Sequence, residues 1–444
     1  MRRLLRPPPM QHSYDGLDRP GGLGRGNLLT PLRHRDFRIL WLGMAVSLVG
    51  DGIFLVAAAW ESYALWNSPA ALAIVGIGMT VPTVVFLLIG GVVSDRYERR
   101  RVMACADAVR AAAVAAVAVL TIAGALRFWE LVALVALYGA GTAFFTPAFE
   151  AIVPDLLPRD ELGRANSLDQ FVRPIALRLA GPVLGGALVA IGAGVAFAVD
   201  AASFAASLAA VLLIRNTRAE RLEAHVSTVA ALKDGLRFVR GRVWLWGTLA
   251  SAAVAYLLFL GPTEVLLPFV VKNDLHASAR TFGVVLAAGG VGAVGAAVWM
   301  GRRDHPRRDV TVMYVAWTLA TLSVAGYGLA TAAWQLMAAC FVFNGLEAAG
   351  TILWATMKQR HVPTSMLGRV SSLDWLISIG LLPLSFALTA PVAAAIGVRA
   401  TLVGAALVGA AVTLSALFLP GMRAIEETGE TSPPPGHALA RTTR

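Results

Sequence analysis

The sequence predicts an all-α membrane protein with twelve transmembrane helices in two six-helix halves. First, 57% of its 444 residues are hydrophobic and only 15% are charged, whereas a soluble domain averages about 25% charged residues. Second, apolar segments long enough to span a bilayer follow one another along most of the chain. Third, a block of sequence recurs 205 residues further on, which indicates that the two halves are related.

Each predicted helix is an apolar segment close to the roughly 20 residues that cross a bilayer. Six segments precede a polar, charged stretch, and six more follow it. The predicted spans are 37–61, 70–93, 102–125, 129–152, 167–192, 196–214, 243–271, 279–300, 310–330, 334–357, 371–396 and 399–420.

The segments outside these spans are polar. Residues 1–30 form a basic, Pro- and Gly-rich arm and residues 421–444 a polar, Pro-rich tail, and both are predicted to be disordered. The charged stretch 215–242 is predicted to be a cytoplasmic loop. It separates an N-terminal half, 31–214, from a C-terminal half, 243–420.

The recurring block pairs residues 158–169 with residues 363–374. Both copies carry Pro, Leu, Gly, Arg, Ser, Leu and Asp at matching positions, and the same offset pairs Gly192 with Gly397. Two six-helix halves in the same orientation follow from this repeat. Transporters built from such parallel halves bind their substrate between the halves, near the bilayer midplane.

Lys and Arg residues lie mostly in alternate connections between the spans, such as 96–101, 215–242 and 302–308. Connections rich in Lys and Arg face the cytoplasm. The pattern predicts a multi-pass protein of the cell (inner or plasma) membrane with both termini cytoplasmic. Topology then explains the net charge of +11, so we expect a lipid bilayer and no nucleic acid as a partner.

A charged turn joins the second and third spans. Its key residues are Gly91, Asp95, Arg96, Arg99 and Arg100. The turn closely resembles the signature loop of the major facilitator superfamily of transporters, with Glu98 where the family has its second glycine. The resemblance implies the major facilitator fold and a charge cluster that braces the two halves on the cytoplasmic side when the transporter opens outward. Asp169 and Asp374 are candidate partners across that seam, and the alternative is a loop that only fixes topology.

The fifth span contains a Gly-Pro-x-x-Gly-Gly sequence. Its residues are Gly181, Pro182, Gly185 and Gly186. The sequence is similar to the core of a motif associated with exporters in the same superfamily, although the upstream glycine is Leu177 here. Residues 138–148 and 162–168 resemble the branch that contains the enterobactin exporter and macrolide-efflux proteins. The resemblance implies export and leaves open whether the cargo is a drug or a siderophore.

Four charged residues fall deep in the predicted spans, where each costs about 2.5–3.5 kcal/mol to insert. They are Asp51, Arg178, Glu264 and Glu347. Because burial disfavours a charged carboxyl group, the three acids are candidate proton carriers or substrate contacts. Arg178 has no acid at helical spacing and is a candidate contact for an anionic substrate group. The alternative for each is a structural hydrogen bond or ion pair, with Arg178 as the deep basic partner.

Other charged residues in the spans have structural interpretations. Asp107 and Arg110 are spaced i,i+3, and Asp169 and Arg173 are spaced i,i+4. Asp107 is therefore predicted to form an ion pair with Arg110, and Asp169 with Arg173, each on a single helix. Asp200 is interpreted as an interfacial or capping residue near an end of the sixth span.

Together these features predict a secondary active transporter that exports a small amphipathic organic compound by alternating access, as a proton-coupled antiporter. The alternatives are a substrate sensor or lipid-flipping protein on the same fold, or an importer. An enzyme is disfavoured because the sequence has no metal-ligand spacing, phosphate-binding loop or Ser-His-Asp candidate. We therefore predict no cofactor and no metal site, and we expect a monomer.

Overall fold

The computed structural model describes residues 29–158, 161–215, 228–302 and 308–427. Within those residues, twelve helices are long and apolar enough to cross a membrane, as predicted. They are α1 (Arg35–Leu65), α2 (Pro69–Arg96), α3 (Arg99–Ile122), α4 (Phe128–Leu156), α5 (Leu162–Ile191), α6 (Ala193–Leu213), α7 (Val243–Asp274), α8 (Ala279–Gly301), α9 (Asp309–Leu329), α10 (Ala333–His361), α11 (Thr364–Gly380 with Leu382–Ile396) and α12 (Val398–Ala416).

Short helices at Thr30–Arg33, Thr228–Arg240 and Ala424–Glu427 lie outside the twelve. Most of the predicted N-terminal arm and C-terminal tail, and the first part of the central loop, fall outside the described residues. Two spanning helices contain a wider, π-helical turn, at Ile175–Ala180 in α5 and at Val270–Asp274 in α7.

Several helices run beyond their predicted spans. α4 continues past position 152 to Leu156, and α10 continues past position 357 to His361. Each ends shortly before a proline, Pro158 or Pro363, and proline disfavours the helical conformation in the residue before it. Hydropathy marks only the apolar layer, whereas backbone hydrogen bonding continues to the next helix breaker. The predicted ends were therefore too short.

The two halves follow the same course. α4 and α10 each have 29 residues, and their bounds lie 205 positions apart. α6 and α12 each begin directly after a glycine, Gly192 or Gly397. Gly397 has a φ of 89°, a backbone conformation that glycine adopts readily because it has no Cβ.

Close helix contacts at glycines hold each half together. A Cβ at Gly90 in α2 would overlap the carbonyl oxygen of Ala143 in α4, and a Cβ at Gly292 in α8 would overlap the carbonyl oxygen of Phe341 in α10. These are equivalent helix pairs of the two halves. Small residues at such crossings let helix backbones approach closely, which favours association inside a membrane.

The two halves meet at one membrane face, which we call the far side; the opposite face, where α1 begins and α12 ends, is the terminal side. At the far side the Tyr63 hydroxyl donates to the carbonyl oxygen of Val265 at 2.5 Å, and Asn67 donates to Asn273 at 2.9 Å. Towards the terminal side, no described atom of another helix lies within 4 Å of where a Cβ on Gly91 would sit. The described contacts therefore close the space between the halves at the far side.

Candidate functional site

A cavity of about 560 Å³ lies between the two halves. Apolar residues from both halves form most of its wall, among them Phe54, Met79, Phe259, Leu286 and Phe386. Its charged and amide side chains are Arg178, Glu264, Asn344 and Glu347. The cavity can therefore hold a compound with an apolar body and a few polar groups.

Arg178 crosses this cavity from one half to the other. Its guanidinium donates to the side-chain oxygen of Asn344 at 2.9 Å and lies 3.4 Å from the carboxylate of Glu347. The two acceptors are three residues apart on α10, so they share one helix face. The Arg178 side chain is 47% exposed and that of Glu347 is 23% exposed, so a bound compound can reach both groups.

The π-helical turn in α5 positions Arg178 inside the cavity. The Gly181 N–H bonds to the carbonyl of Ala176, five residues earlier. This turn places the Arg178 backbone against α8, where a Cβ on Gly290 would overlap the Arg178 carbonyl oxygen. A π-helical turn of this kind often marks a functional position in a helix.

Glu264 is the third charged group of the cavity. It lies on α7, two residues after Pro262, and is exposed. It lines the same cavity as Arg178 and Glu347. Glu264 and Glu347 therefore place two acids around one arginine, and both are open to a substrate or a proton.

Asp51 lies apart from these three residues. Its carboxylate accepts a hydrogen bond from the Tyr138 hydroxyl at 2.6 Å, inside the first half, and it is not among the residues that line the cavity. The structure therefore brings three of the four predicted deep charges together and leaves Asp51 in a separate cluster.

Sequence reasoning missed Asn344 and misplaced Asp200. Asn344 is a polar residue three positions before Glu347 on an apolar helix, and that spacing was an available signal. The interpretation of Asp200 as an interfacial or capping residue is wrong, because its side chain is fully buried. α6 begins at Ala193, so Asp200 lies about 10 Å into the helix. A glycine on α1, Gly50, makes room for it.

The Gly-Pro-x-x-Gly-Gly sequence forms a crossing of three helices. A Cβ at Gly181 would lie 2.6 Å from the Cα of Gly52 in α1, and one at Gly185 would lie 3.0 Å from the Cα of Ile53. A Cβ at Gly186 would lie 2.7 Å from the carbonyl oxygen of Ala279 in α8, which belongs to the other half. The motif thus joins α1, α5 and α8 at backbone distance.

Two arginines of the signature loop contact their own half. Arg99 donates to the Asp155 carboxylate at 2.5 Å and to the Ala151 carbonyl at 2.8 Å, both on α4. Arg100 donates to the carbonyl of Val211 at 3.1 Å and to that of Leu212, both on α6. These contacts fasten the loop to the first half. The side chain of Asp95 lies outside the described part of the structure.

The predicted partners of this loop are engaged elsewhere in this conformation. Asp169 accepts from Arg173 at 2.7 Å, as the i,i+4 spacing predicted. Asp374 pairs with Lys358 and also accepts from the indole N–H of Trp354 at 2.9 Å. Among the described side chains, no bridge from the loop to these two acids is formed in this conformation.

A twelve-helix bundle of two repeated halves, with a charged cavity between them, defines a major facilitator transporter. The chain belongs to the transmembrane secretion effector family of that superfamily, whose model matches residues 27–440. The members of this superfamily are transporters rather than enzymes, and the resemblance inferred from the sequence motifs is confirmed.

Two characterised relatives cover most of the chain. It is 30% identical to the multidrug efflux pump Tap of Mycolicibacterium fortuitum, across 85% of this chain and 94% of the pump. It is 28% identical to the enterobactin exporter EntS of Citrobacter koseri, across 78% of this chain and 82% of the exporter. Among solved structures, it matches a bacterial homologue of the iron transporter ferroportin in the inward-facing state. That match has a TM-score of 0.66 and 16% identity, and it covers 86% of this chain and 98% of that one.

Proposed function

We propose that this protein exports a small amphipathic organic compound by alternating access and that proton re-entry drives the export. The observation that carries the proposal is the Arg178 contact with Glu347 and Asn344, made between the two halves inside a largely apolar cavity. A group that belongs to both halves responds to substrate and to the conformational change together, as alternating access requires.

The lining of the cavity supports the proposed class of substrate. Aromatic and aliphatic side chains suit an apolar body, whereas Arg178 suits an anionic or strongly polar group and the two glutamates suit a cationic one. Export is supported by the names of the relatives, a multidrug efflux pump and an enterobactin exporter. A drug-like compound and a siderophore are the two candidate cargoes.

We assign the terminal side to the cytoplasm. Alternate connections at this side carry the excess of Lys and Arg, including Arg96 to Arg101 and Lys358 to Arg360. Both termini are then cytoplasmic. The described conformation, with its halves joined at the far side, would be the one that receives cargo from the cytoplasm.

Proton coupling is assigned to acids within the membrane. Asp51, Glu264 and Glu347 are the candidate carriers, and each can alternate between a charged and a neutral form. In the proposed cycle, protonation from outside favours the return to the inward-facing conformation, and release of the proton to the cytoplasm resets the site.

The test is transport by the purified protein in liposomes with an imposed pH gradient. A panel of amphipathic drugs and a catecholate siderophore is offered to wild type, Arg178→Gln and an exposed control, Arg302→Gln. We expect gradient-driven flux of at least one compound in wild type and control, and its loss in Arg178→Gln. Binding without flux would favour a sensor. Lipid scrambling would favour a lipid-flipping protein, and flux only in the opposite direction would favour an importer.

A further inference from the structure

The first half encloses a cluster of charged side chains that the cavity does not use. Its members are Asp51 on α1, Asp107 and Arg110 on α3, and Asp200 on α6. Asp107 and Asp200 are fully buried, and Arg110 is 4% exposed. Ionised groups at such depth are costly unless each is paired, so the pairing within the cluster decides which groups can be charged.

Asp107 is the acidic partner of Arg110, whose Nε is buried without a hydrogen-bond partner among the described residues. The two form an ion pair, as their i,i+3 spacing predicted, and Asp107 also accepts from the Ser207 hydroxyl at 2.7 Å. The guanidinium lies between two aromatic rings, 4.3 Å from the centre of Phe145 and 4.5 Å from that of Phe204. These contacts leave the one arginine of the cluster committed to Asp107.

Asp51 and Asp200 have neutral donors instead. The Tyr138 hydroxyl donates to Asp51 at 2.6 Å, and Ser203 donates to Oδ1 of Asp200 at 3.3 Å. Oδ2 of Asp200 is buried without a hydrogen-bond partner among the described residues. The two carboxyl groups also act on each other electrostatically, and both act on Tyr138.

The other charges that face this pair do not neutralise it. Arg110 acts on both Asp51 and Asp200 but is held in its ion pair with Asp107, and Arg173, which also acts on Asp51, is paired with Asp169. Two carboxylates that share a dehydrated site cannot both be ionised without a large repulsion. Oδ2 of Asp200, which has no hydrogen-bond partner among the described residues, can take up a proton, and this removes the repulsion.

We propose that Asp51 and Asp200 form a buried proton-binding site within the first half, separate from the substrate cavity. A proton suits the site better than a metal ion, because hard cations such as Ca²⁺ take six to eight oxygen ligands, and the described residues contain no group of three or more His, Cys, Asp or Glu side chains that could hold a metal ion. Asp51 is half-buried whereas Asp200 is fully buried, so the proton enters through Asp51.

The second half does not carry this set of residues at the equivalent positions. At the positions 205 residues further on, Tyr256 replaces Asp51, Phe343 replaces Tyr138 and Ala405 replaces Asp200. Tyr256 and Phe343 line the substrate cavity. The equivalent positions therefore differ in role: in the first half they bind a proton, and in the second half two of them give the cavity an aromatic wall.

A short path connects the proton site with the cavity. Asp51 lies between Gly50, which packs against Asp200, and Gly52, which packs against Gly181. Gly181 follows Arg178 by three residues, so a shift of α1 on protonation reaches the residue that joins the two halves. This coupling role rests on the proposed proton-driven export, whereas proton binding by Asp51 and Asp200 does not.

The test is infrared spectroscopy of the purified protein in nanodiscs, which detects the carbonyl band of a protonated carboxyl group. We expect such a band at neutral pH, lost in both Asp51→Asn and Asp200→Asn and kept in Glu264→Gln. Tyr138→Phe keeps the ring and removes the donor, so it should shift the band even if an Asn variant fails to fold. A band that is absent from wild type, or unchanged in all three cluster variants, overturns the proposal.

A transport assay separates this inference from the proposed function. We expect Asp200→Asn to keep exchange of cargo across liposomes without a gradient but to lose acceleration by a pH gradient. Normal acceleration in Asp200→Asn would overturn the coupling role of this site. If wild type moves none of the tested compounds, the proposed function fails, and the infrared band still decides whether the proton site exists.

Discussion

The guanidinium of Arg178 lies 3.4 Å from the carboxylate of Glu347 on the opposite half of the protein. Arg178 extends from the π-helical turn of α5, and Glu347 extends from α10. Because each half contributes one charge, the contact would lengthen or break if the halves moved apart at this point, as in the proposed alternating access. Both bound cargo and the relative position of the two halves can therefore affect this ion pair.

Neutralising either charge should impair transport while leaving the fold intact. Exposed ion pairs contribute about 0–1 kcal/mol to stability, and Arg178 is about half exposed. We expect Arg178→Gln and Glu347→Gln to change the melting temperature little and to abolish gradient-driven flux. Flux and melting temperature are measured on the same liposome preparation.

The reversed pair, Arg178→Glu with Glu347→Arg, sharpens this prediction. If the ion pair matters mainly for holding the halves together, the reversal restores flux. If Arg178 contacts the cargo directly, flux of an anionic compound stays lost. Flux at the wild-type level in both single variants would show that neither charge takes part.

Substitution of Gly181 should separate α5 from α1. A Cβ here would lie 2.6 Å from the Cα of Gly52, and overpacking of this kind costs about 1–3 kcal/mol. We expect Gly181→Ala to lower the melting temperature. We also expect it to reduce flux at temperatures where the protein stays folded, because the crossing lies next to Arg178.

Gly404→Ala is the matched control for this substitution. Gly404 is a helical glycine of α12 with no described atom of another helix within 4 Å of where a Cβ would sit. We expect it to retain the melting temperature and the flux of wild type. Equal effects of both substitutions would mean that the crossing of α1 and α5 has no special role.

The number and order of the helices could be predicted from the sequence because apolar length is a local property. Glu264 and Glu347 were recognised as cavity candidates for the same reason, since a charge inside an apolar segment is visible in the sequence. The contact of Arg178 with Glu347 joins residues 169 positions apart and depends on the rotation of α5. The π-helical turn changes that rotation relative to a regular helix, in which each residue turns by about 100°.

Asp51 was recognised as a candidate proton carrier, but its pairing with Asp200 was not, for a related reason. Asp51 and Asp200 approach each other because Gly50 leaves space at one helix crossing, and no sequence pattern links α1 with α6. The signature loop was easy to recognise, but its pairing was not, because Asp169 and Asp374 have partners within their own halves in this conformation.

Asp95→Asn should shift the conformational equilibrium, if the loop closes the terminal side as the family resemblance implies. Spin labels at Tyr97→Cys and Gln359→Cys, one on each half and both exposed, would report the opening at that side in a Cys105→Ser background. We expect two distance populations in wild type and depletion of the shorter one in Asp95→Asn.

Glu98→Gln is the control for the loop prediction. Glu98 pairs with Arg101 at 2.7 Å on the exposed surface of the same turn, so its loss should leave both distance populations unchanged. An unchanged distribution in Asp95→Asn, together with normal flux, would mean that the loop only fixes topology.

Asp107 and Asp200 should respond oppositely to amide substitution, although both are fully buried. Asp107→Asn leaves the Arg110 charge buried without an ionised partner, and breaking a buried ion pair costs about 3–5 kcal/mol. Asp200→Asn removes an acid whose Oδ2 has no donor among the described residues, so stability should be retained or should rise.

Thermal unfolding in detergent, followed by tryptophan fluorescence, measures this contrast. Ser207→Ala serves as the reference, because it removes one hydrogen bond to Asp107, worth about 0.5–1.5 kcal/mol. The expected order of melting temperature is Asp200→Asn, then Ser207→Ala, then Asp107→Asn. A loss of stability in Asp200→Asn as large as that in Asp107→Asn would mean that Asp200 is held as a paired charge, which would contradict its assignment as half of a proton-binding pair.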